Sequence, residues 1–278
     1  MLDRAPIAAA TEPEARSQTV IIGSGKHGRV ELDVTRNVVA KHYNDSDAAS
    51  VMQREHDILS RFGQALAGQT HVRCPQALDI DHSAGTLQMT YCAGTPIDEL
   101  LADPESSIDN DLNHIARQVH IAMTTFVGEF GTPYYDLAPW NMLYQPETRI
   151  LSMVDFASDG YFGQRFDHIP VEASLGKLTG GSLYQVVRPA NWRNSRYRDR
   201  QRELISSVLA LVRQHDSVDL SRVAALSALT YNAMGKQGRF TRQLWYRTVG
   251  HVLYTRRITN IMLTVGQRID SRGIEHGQ

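Results

Sequence analysis

Cysteine is scarce in this chain: Cys74 and Cys92 are the only two. They make neither a disulfide framework nor a zinc pattern, and they fit a reducing compartment without requiring one. Long apolar runs are missing too. No stretch reaches the roughly 18 apolar residues that a transmembrane helix needs. Lysine is rare, with Lys26, Lys41, Lys177 and Lys236 in a basic complement that is otherwise arginine. Charge of one sign is also absent: the formal net charge is −1 over 278 residues. That excludes a global pull towards nucleic acid or acidic membrane, so no DNA partner is expected, although a local basic patch stays open. Residues 1–17 alternate Ala, Pro, Glu and Arg without an apolar centre, so they read as a mobile tail and not as a secretory leader. A cytoplasmic location is therefore expected. The histidines show no ligand-like pairing at helical spacing. His27 is expected to face solvent.

What is present is a hydrophobic fraction of 42%, ample for one large domain or two lobes with a core. The β-branched run Thr19-Val20-Ile21-Ile22 predicts a strand. It leads into Gly23-Ser24-Gly25-Lys26-His27-Gly28-Arg29-Val30. Alternation over 30–34 and the run 38–43 predict two more strands, an antiparallel meander with glycines at its first bend. Asn44-Asp45-Ser46 offers N-caps for a helix that should stop at Gly63. Its apolar stripe is Val51, Ile58, Leu59 and Phe62. Glu55 falls on that stripe, and an unpaired acid aimed at a core is costly. Spacing alone leaves two readings open, an edge position reaching solvent or a buried acid with a partner. Further strands are expected at 77–81 and 86–91, a linker at 92–96, a short helix at 97–101 and a long one at 108–130. Glycine, proline and weak periodicity make 158–190 irregular, the kind of segment that is often functional. Helices return at about 198–214, 219–234 and 240–263.

Between these elements lies Asp136-Leu137-Ala138-Pro139-Trp140-Asn141, followed fourteen residues after Asn141 by Asp155. A hairpin of 142–144 with 150–154 would set Asn141 and Asp155 side by side. Two hard oxygen donors brought together suit magnesium, and a second carboxyl nearby, that of Asp136, suits removal of a hydroxyl proton.

Taken in order, Gly23-x-Gly25-x-x-Gly28-x-Val30, Val39-Ala40-Lys41, Glu55, Met89-Thr90-Tyr91-Cys92, Asp136-x4-Asn141 and Asp155-Phe156-Ala157 resemble the signature set of the protein-kinase-like superfamily. A strand, not a helix, follows the glycines, which separates this pattern from a dinucleotide fingerprint. The resemblance implies an α+β, two-lobed fold: a small antiparallel β N-lobe with one helix (18–92), then a larger, mostly helical C-lobe (93–278). It implies an ATP- and Mg2+-dependent enzyme. Gly23, Ser24, Gly25, Gly28 and Val30 would form a flap over the phosphates, with Ala40 in the nucleotide site. Lys41 would neutralise phosphate charge, held by Glu55. Thr90 and Cys92 would offer backbone groups to adenine, with Met89 behind. Asn141 and Asp155 would hold the metal, and Asp136 would orient the acceptor hydroxyl and take its proton.

The chain also departs from that pattern. Tyr134-Tyr135 stands where protein kinases usually have His-Arg, Ala157 replaces the glycine of Asp-Phe-Gly, and no Ala-Pro-Glu follows. The Asp136-Leu137-x-Pro139-x-Asn141 stretch looks closer to aminoglycoside phosphotransferases and lipopolysaccharide-kinase-like enzymes. A hydroxyl-bearing, non-protein acceptor is therefore expected, and it could be anionic. The alternatives are an atypical Ser/Thr protein kinase and a pseudokinase or interaction module; nothing selects adenylyl transfer. Six arginines lie between Arg188 and Arg202. The preferred reading is a solvated helix start with Asp199 and Glu203 as partners, against an anion site. The last helix reads as packed and amphipathic.

Overall fold

The computed structural model describes residues 18–25, 28–44, 48–134, 136–157, 170–215, 217–236 and 240–275, with side chains to 269. Lys26, His27, Tyr135 and the stretch 158–169 lie outside them, as do residues 45 and 46 of the expected N-cap.

Strands β1 (Thr19–Gly25), β2 (Gly28–Asp33) and β3 (Val38–Tyr43) form the expected antiparallel meander. Helix α1 (Ala48–Ala65) follows. It runs through Gly63, because Leu66 packs into the core and its amide still reaches the Phe62 carbonyl at 2.9 Å. β4 (Val72–Arg73), a short strand not expected from sequence, precedes β5 (Ala77–Asp81) and β6 (Thr86–Thr90). The first sheet has the order β1-β2-β3-β6-β5, all antiparallel.

Next come β7 (Thr95–Pro96), inside the expected linker, α2 (Ile97–Ala102) and α3 (Leu112–Phe130). Helix α3 ends as expected at Gly131, whose φ of 68° is the left-handed conformation that glycine adopts without penalty. The hairpin β8 (Met142–Gln145) and β9 (Ile150–Met153) completes a second sheet of order β4-β9-β8-β7. Parallel pairing of β4 with β9 joins the chain before the first sheet's last strands to the hairpin that carries the site. The remainder is helical: α4 (Val171–Val186), α5 (Ser195–His215), α6 (Leu220–Gly235), α7 (Phe240–Arg247) and α8 (Val249–Glu275). Among the described residues no helix is long and apolar enough to cross a membrane. This is the α+β arrangement anticipated from sequence: an antiparallel β N-terminal part with one helix, then a mostly helical C-terminal part.

Three expectations are corrected. The segment 158–190 is not irregular where it is described, for 171–186 is a buried helix. Its glycines, breakers in a sequence reading, serve close packing. A Cβ on Gly176 would lie 2.6 Å from Leu226 Cβ, and one on Gly180 would lie 2.5 Å from the Ser227 carbonyl oxygen. Their spacing of four puts both on one face, and that face lets α4 and α6 approach backbone to backbone. The last helix is two, broken at Thr248, and α8 extends further than expected. The break seats Gly250 against Tyr231, whose hydroxyl would be 2.7 Å from an added Cβ.

Third, the arginine run is not simply a solvated helix start. Arg202 does pair with Asp199 at 3.2 Å, but Glu203 pairs with Arg268 of α8. Arg200 is only 2% exposed. Its guanidinium donates to both Asp109 oxygens (2.7 and 2.9 Å) and to the carbonyl oxygens of Asp103 (2.6 Å) and Ser106. Every arm of a buried fork thus meets an acceptor, and the start of α5 is tied to the turn after α2. Hydrogen bonds from Arg200 and Arg196 hold the Asp109 carboxyl well below the usual carboxylate range. A depressed carboxylate stabilises the fold above its unfolded value of about 4, and that contribution declines as pH falls below it. Asp109→Asn is therefore expected to melt below wild type at pH 7, with the gap closing in melting curves taken at falling pH towards 3. A gap that widened on acidification would contradict this.

Candidate active site

Alternation along β3 decides which residues face the cleft. Val39, Lys41 and Tyr43 are buried and point inward, while Ala40 is turned to the other face. Val39, not Ala40, therefore lines the cavity. On α1, helical spacing carries Glu55 inward with Val51, Met52 and Leu59, and it is 1% exposed. Of the two readings left open by its position on the stripe, burial with a partner is the one observed.

Three donors make four hydrogen bonds to the Glu55 carboxylate. Lys41 Nζ lies 3.1 and 2.8 Å from its two oxygens, the Phe156 amide donates at 2.9 Å, and the Tyr43 hydroxyl donates to Oε2. Lys41 Nζ also reaches Asp155 Oδ1 at 2.7 Å. Burial opposes the charge on Lys41, but the carboxylates of Glu55 and Asp155 outweigh it and raise the ammonium above its ordinary value. Burial, then Glu55, raises the Tyr43 phenol far above the usual range, so it remains a donor. Tyr43 was not singled out by the sequence, where it looks like any inward strand residue.

The hairpin works as expected. Met142 pairs with Met153, and the Val154 amide donates to the Asn141 carbonyl at 2.9 Å, which sets Asn141 beside the chain leading to Asp155. Asp155 has φ of 65°, a sparsely populated conformation for a residue other than glycine that costs on the order of 1 kcal/mol or more. Tyr134 secures it, its hydroxyl donating to the Asp155 carbonyl at 2.7 Å. Arg54 Nη2 donates to the Ala157 carbonyl at 3.0 Å. The Asp155 side chain is nonetheless about half exposed, at 48%. It is presented to the cleft on a fixed backbone.

Asn141 Nδ2 donates to the Asp136 carbonyl (3.1 Å) and to Asp136 Oδ2 (3.2 Å). The other carboxylate oxygen, Oδ1, pairs with Lys177 Nζ at 2.9 Å. Lys177 went unassigned in the sequence because it sits in the segment read as irregular. The scarcity of lysine was the one available signal. Helix α4 puts it there, and one turn further on Gly181 packs against the Trp140 ring.

The cleft has a volume of about 340 Å³. Of the expected residues, Gly23, Ser24, Gly28, Val30, Lys41, Glu55, Met89, Thr90, Cys92, Asn141 and Asp155 line it; Ala40 does not, the surroundings of Gly25 lie outside what is described, and Asp136 stands behind Asn141. Gly28 has a steric reason to be glycine: its φ is 144° and a Cβ would fall 1.6 Å from the His42 carbonyl oxygen. Gly23 has no such reason, since a Cβ there would meet Val30 at an ordinary 3.6 Å. The Thr90 amide already donates to the Gln76 carbonyl at 2.9 Å, so of its backbone groups Thr90 has only the carbonyl to offer a ligand. Burial raises the Cys92 thiol, which makes it a packing residue of the cleft wall.

Among the described residues no group of three or more His, Cys, Asp or Glu could hold a metal as a protein cage. Two hard oxygen donors, from Asn141 and Asp155, border the same cavity. That set fits magnesium, which is commonly held by one or two protein oxygens together with substrate phosphates and water.

No protein-family model and no curated protein matches the chain. Among solved structures, the chain is similar to the Mycobacterium tuberculosis PknI kinase domain. A single-mutant form is 15% identical with a TM-score of 0.47, over 78% of this chain and 95% of that one. A double-mutant form is 16% identical with a TM-score of 0.48, over 82% and 99%.

Proposed function

We propose that this chain is an ATP-dependent phosphotransferase that moves the γ-phosphoryl group to a hydroxyl of a non-protein acceptor such as a sugar, a lipopolysaccharide or a small molecule. The observation that carries the reading is the Lys41–Glu55–Asp155 triad at the wall of the nucleotide-sized cleft, with Asn141 and Asp136 joined to it through the hairpin. Desolvation offsets much of the attraction within a buried lysine–glutamate pair, so such a pair is weak evidence of a stabilising role, and its place at the cleft wall supports a ligand-binding one.

In this reading the adenine enters beside Met89, Thr90 and Cys92, and the β1–β2 backbone covers the phosphates. Lys41, fixed by Glu55 and Tyr43, neutralises phosphate charge without reorganising when the nucleotide arrives. Magnesium, held by Asn141 and Asp155, would neutralise charge on the β- and γ-phosphates. Asp136 accepts the acceptor's hydroxyl proton as the oxygen attacks. Asn141 orients one carboxylate oxygen of Asp136, and Lys177 orients the other and brings positive charge to the acceptor side. Positioning and charge neutralisation are what a loose phosphoryl-transfer transition state requires.

The test is a panel of hydroxylic acceptors mixed with the protein, ATP and magnesium, scored for acceptor-dependent ADP release beside labelled-phosphate transfer to lysate protein. Release with a small acceptor and no protein labelling is expected. Protein labelling alone would instead establish a Ser/Thr kinase. No thermal shift with ATP and magnesium would point to an interaction module.

A further inference from the structure

A second polar cavity, of about 290 Å³, lies between α5 and α8 and shares no lining residue with the cleft. Four guanidinium groups border it, those of Arg198, Arg202, Arg256 and Arg257, against the single carboxylate of Asp199. The sequence shows the α5 and α8 arginines as two separate runs. Only helix packing turns both runs onto one space.

Two features separate this cavity from a solvated charge cluster. Gln201 is 2% exposed, yet its Nε2 has no hydrogen-bond partner, and the same holds for Nη1 of Arg257. Buried donors without acceptors are rare and costly, and both belong to side chains of the cavity wall. The arginines are also held in place: the Trp192 carbonyl accepts from Arg198 Nη1 at 3.2 Å and from Arg257 Nη2 at 3.3 Å. Burial, and after it the like charge of Arg198, push Arg257 down to about 10. One carboxylate, already paired with Arg202 at 3.2 Å, does not relieve that crowding.

We propose that the α5–α8 cavity binds the phosphate group of a small ligand, held and neutralised by the guanidinium groups of Arg198, Arg202, Arg256 and Arg257. Several acceptor oxygens on a doubly charged centre match convergent guanidinium donors better than a single carboxylate does. The volume leaves room for a substituent beyond the phosphate. Nothing in this proposal depends on the phosphotransferase reading.

Calorimetric titration of inorganic pyrophosphate into the full chain at fixed ionic strength tests it, with inorganic phosphate and a sugar phosphate in parallel. Tighter binding of the ester would identify an organic phosphate, and the reverse a free anion. Arg202 and Arg256 are exposed, so an Arg202→Gln/Arg256→Gln double variant removes charge without opening the core. It is expected to bind pyrophosphate at least about ten-fold more weakly, as loss of charge-assisted bonds implies. Should the double variant melt early, Arg256→Gln alone is read in the same way and is expected to weaken binding several-fold. Undiminished affinity in a folded variant places the anion elsewhere, the cleft included, and overturns the proposal; so does absence of wild-type binding up to millimolar pyrophosphate.

Discussion

Asp136→Asn is expected to lower the turnover of acceptor-dependent ADP release by about 10²–10⁴-fold, the range for loss of a positioned general base. The substitution keeps the volume of the side chain and its contact with Asn141, 3.2 Å away, but removes the group that takes the proton. Asp136 stands off the nucleotide side of the cleft, so the KM for ATP is expected to stay within about two-fold of wild type, as for an interaction made only in the transition state. Steady-state kinetics with ATP varied separate the two effects. Full turnover in a folded Asp136→Asn protein would remove Asp136 from the mechanism, and a large rise in KM with unchanged turnover would make it a binding residue.

Glu55→Ala should be the most damaging single change to stability in the cleft. It leaves Lys41, the Tyr43 hydroxyl and the Phe156 amide without their shared acceptor. Removing one partner of a buried ion pair typically costs about 3–5 kcal/mol. For a chain of this size that lowers the melting temperature on the order of 10 °C. Tyr43→Phe, which removes one donor and leaves the ion pair, should cost only about 1 kcal/mol. Lys41 would keep Asp155 as its one carboxylate partner, so affinity for ATP should fall in Glu55→Ala as well. Thermal melts and nucleotide titrations of the two variants decide the matter; a Glu55→Ala protein melting within a degree of wild type would show that the pair is not held as described.

Much of the site could be read along the chain because its parts are local patterns. Alternation marked β3 and hence Lys41, a turn between two short apolar runs marked the hairpin of Asn141 and Asp155, and Gly131 marked the end of α3. The residues that escaped notice are those whose meaning depends on a distant partner. Tyr43 and Tyr134 are ordinary inward aromatics until Glu55 and the Asp155 carbonyl are placed against them. Lys177 is one lysine in a glycine-bearing stretch until α6 turns that stretch into a helix.

By itself the sequence determined the β1–β3 meander, the helix and strand pair that follow, the hairpin of Asn141 and Asp155, the α+β class and the set of polar residues with no reason to lie near apolar stripes, since period, capping and turn chemistry are properties of neighbouring residues. Tertiary structure alone decided which of those residues meet. It turned Val39 inward in place of Ala40, closed Glu55 within hydrogen-bonding reach of Lys41, carried Lys177 to Asp136, buried Arg200 among carbonyl oxygens and gathered two arginine runs around one cavity. Those outcomes rest on contacts between residues from 14 to 97 positions apart, and packing sets such contacts where local propensity cannot.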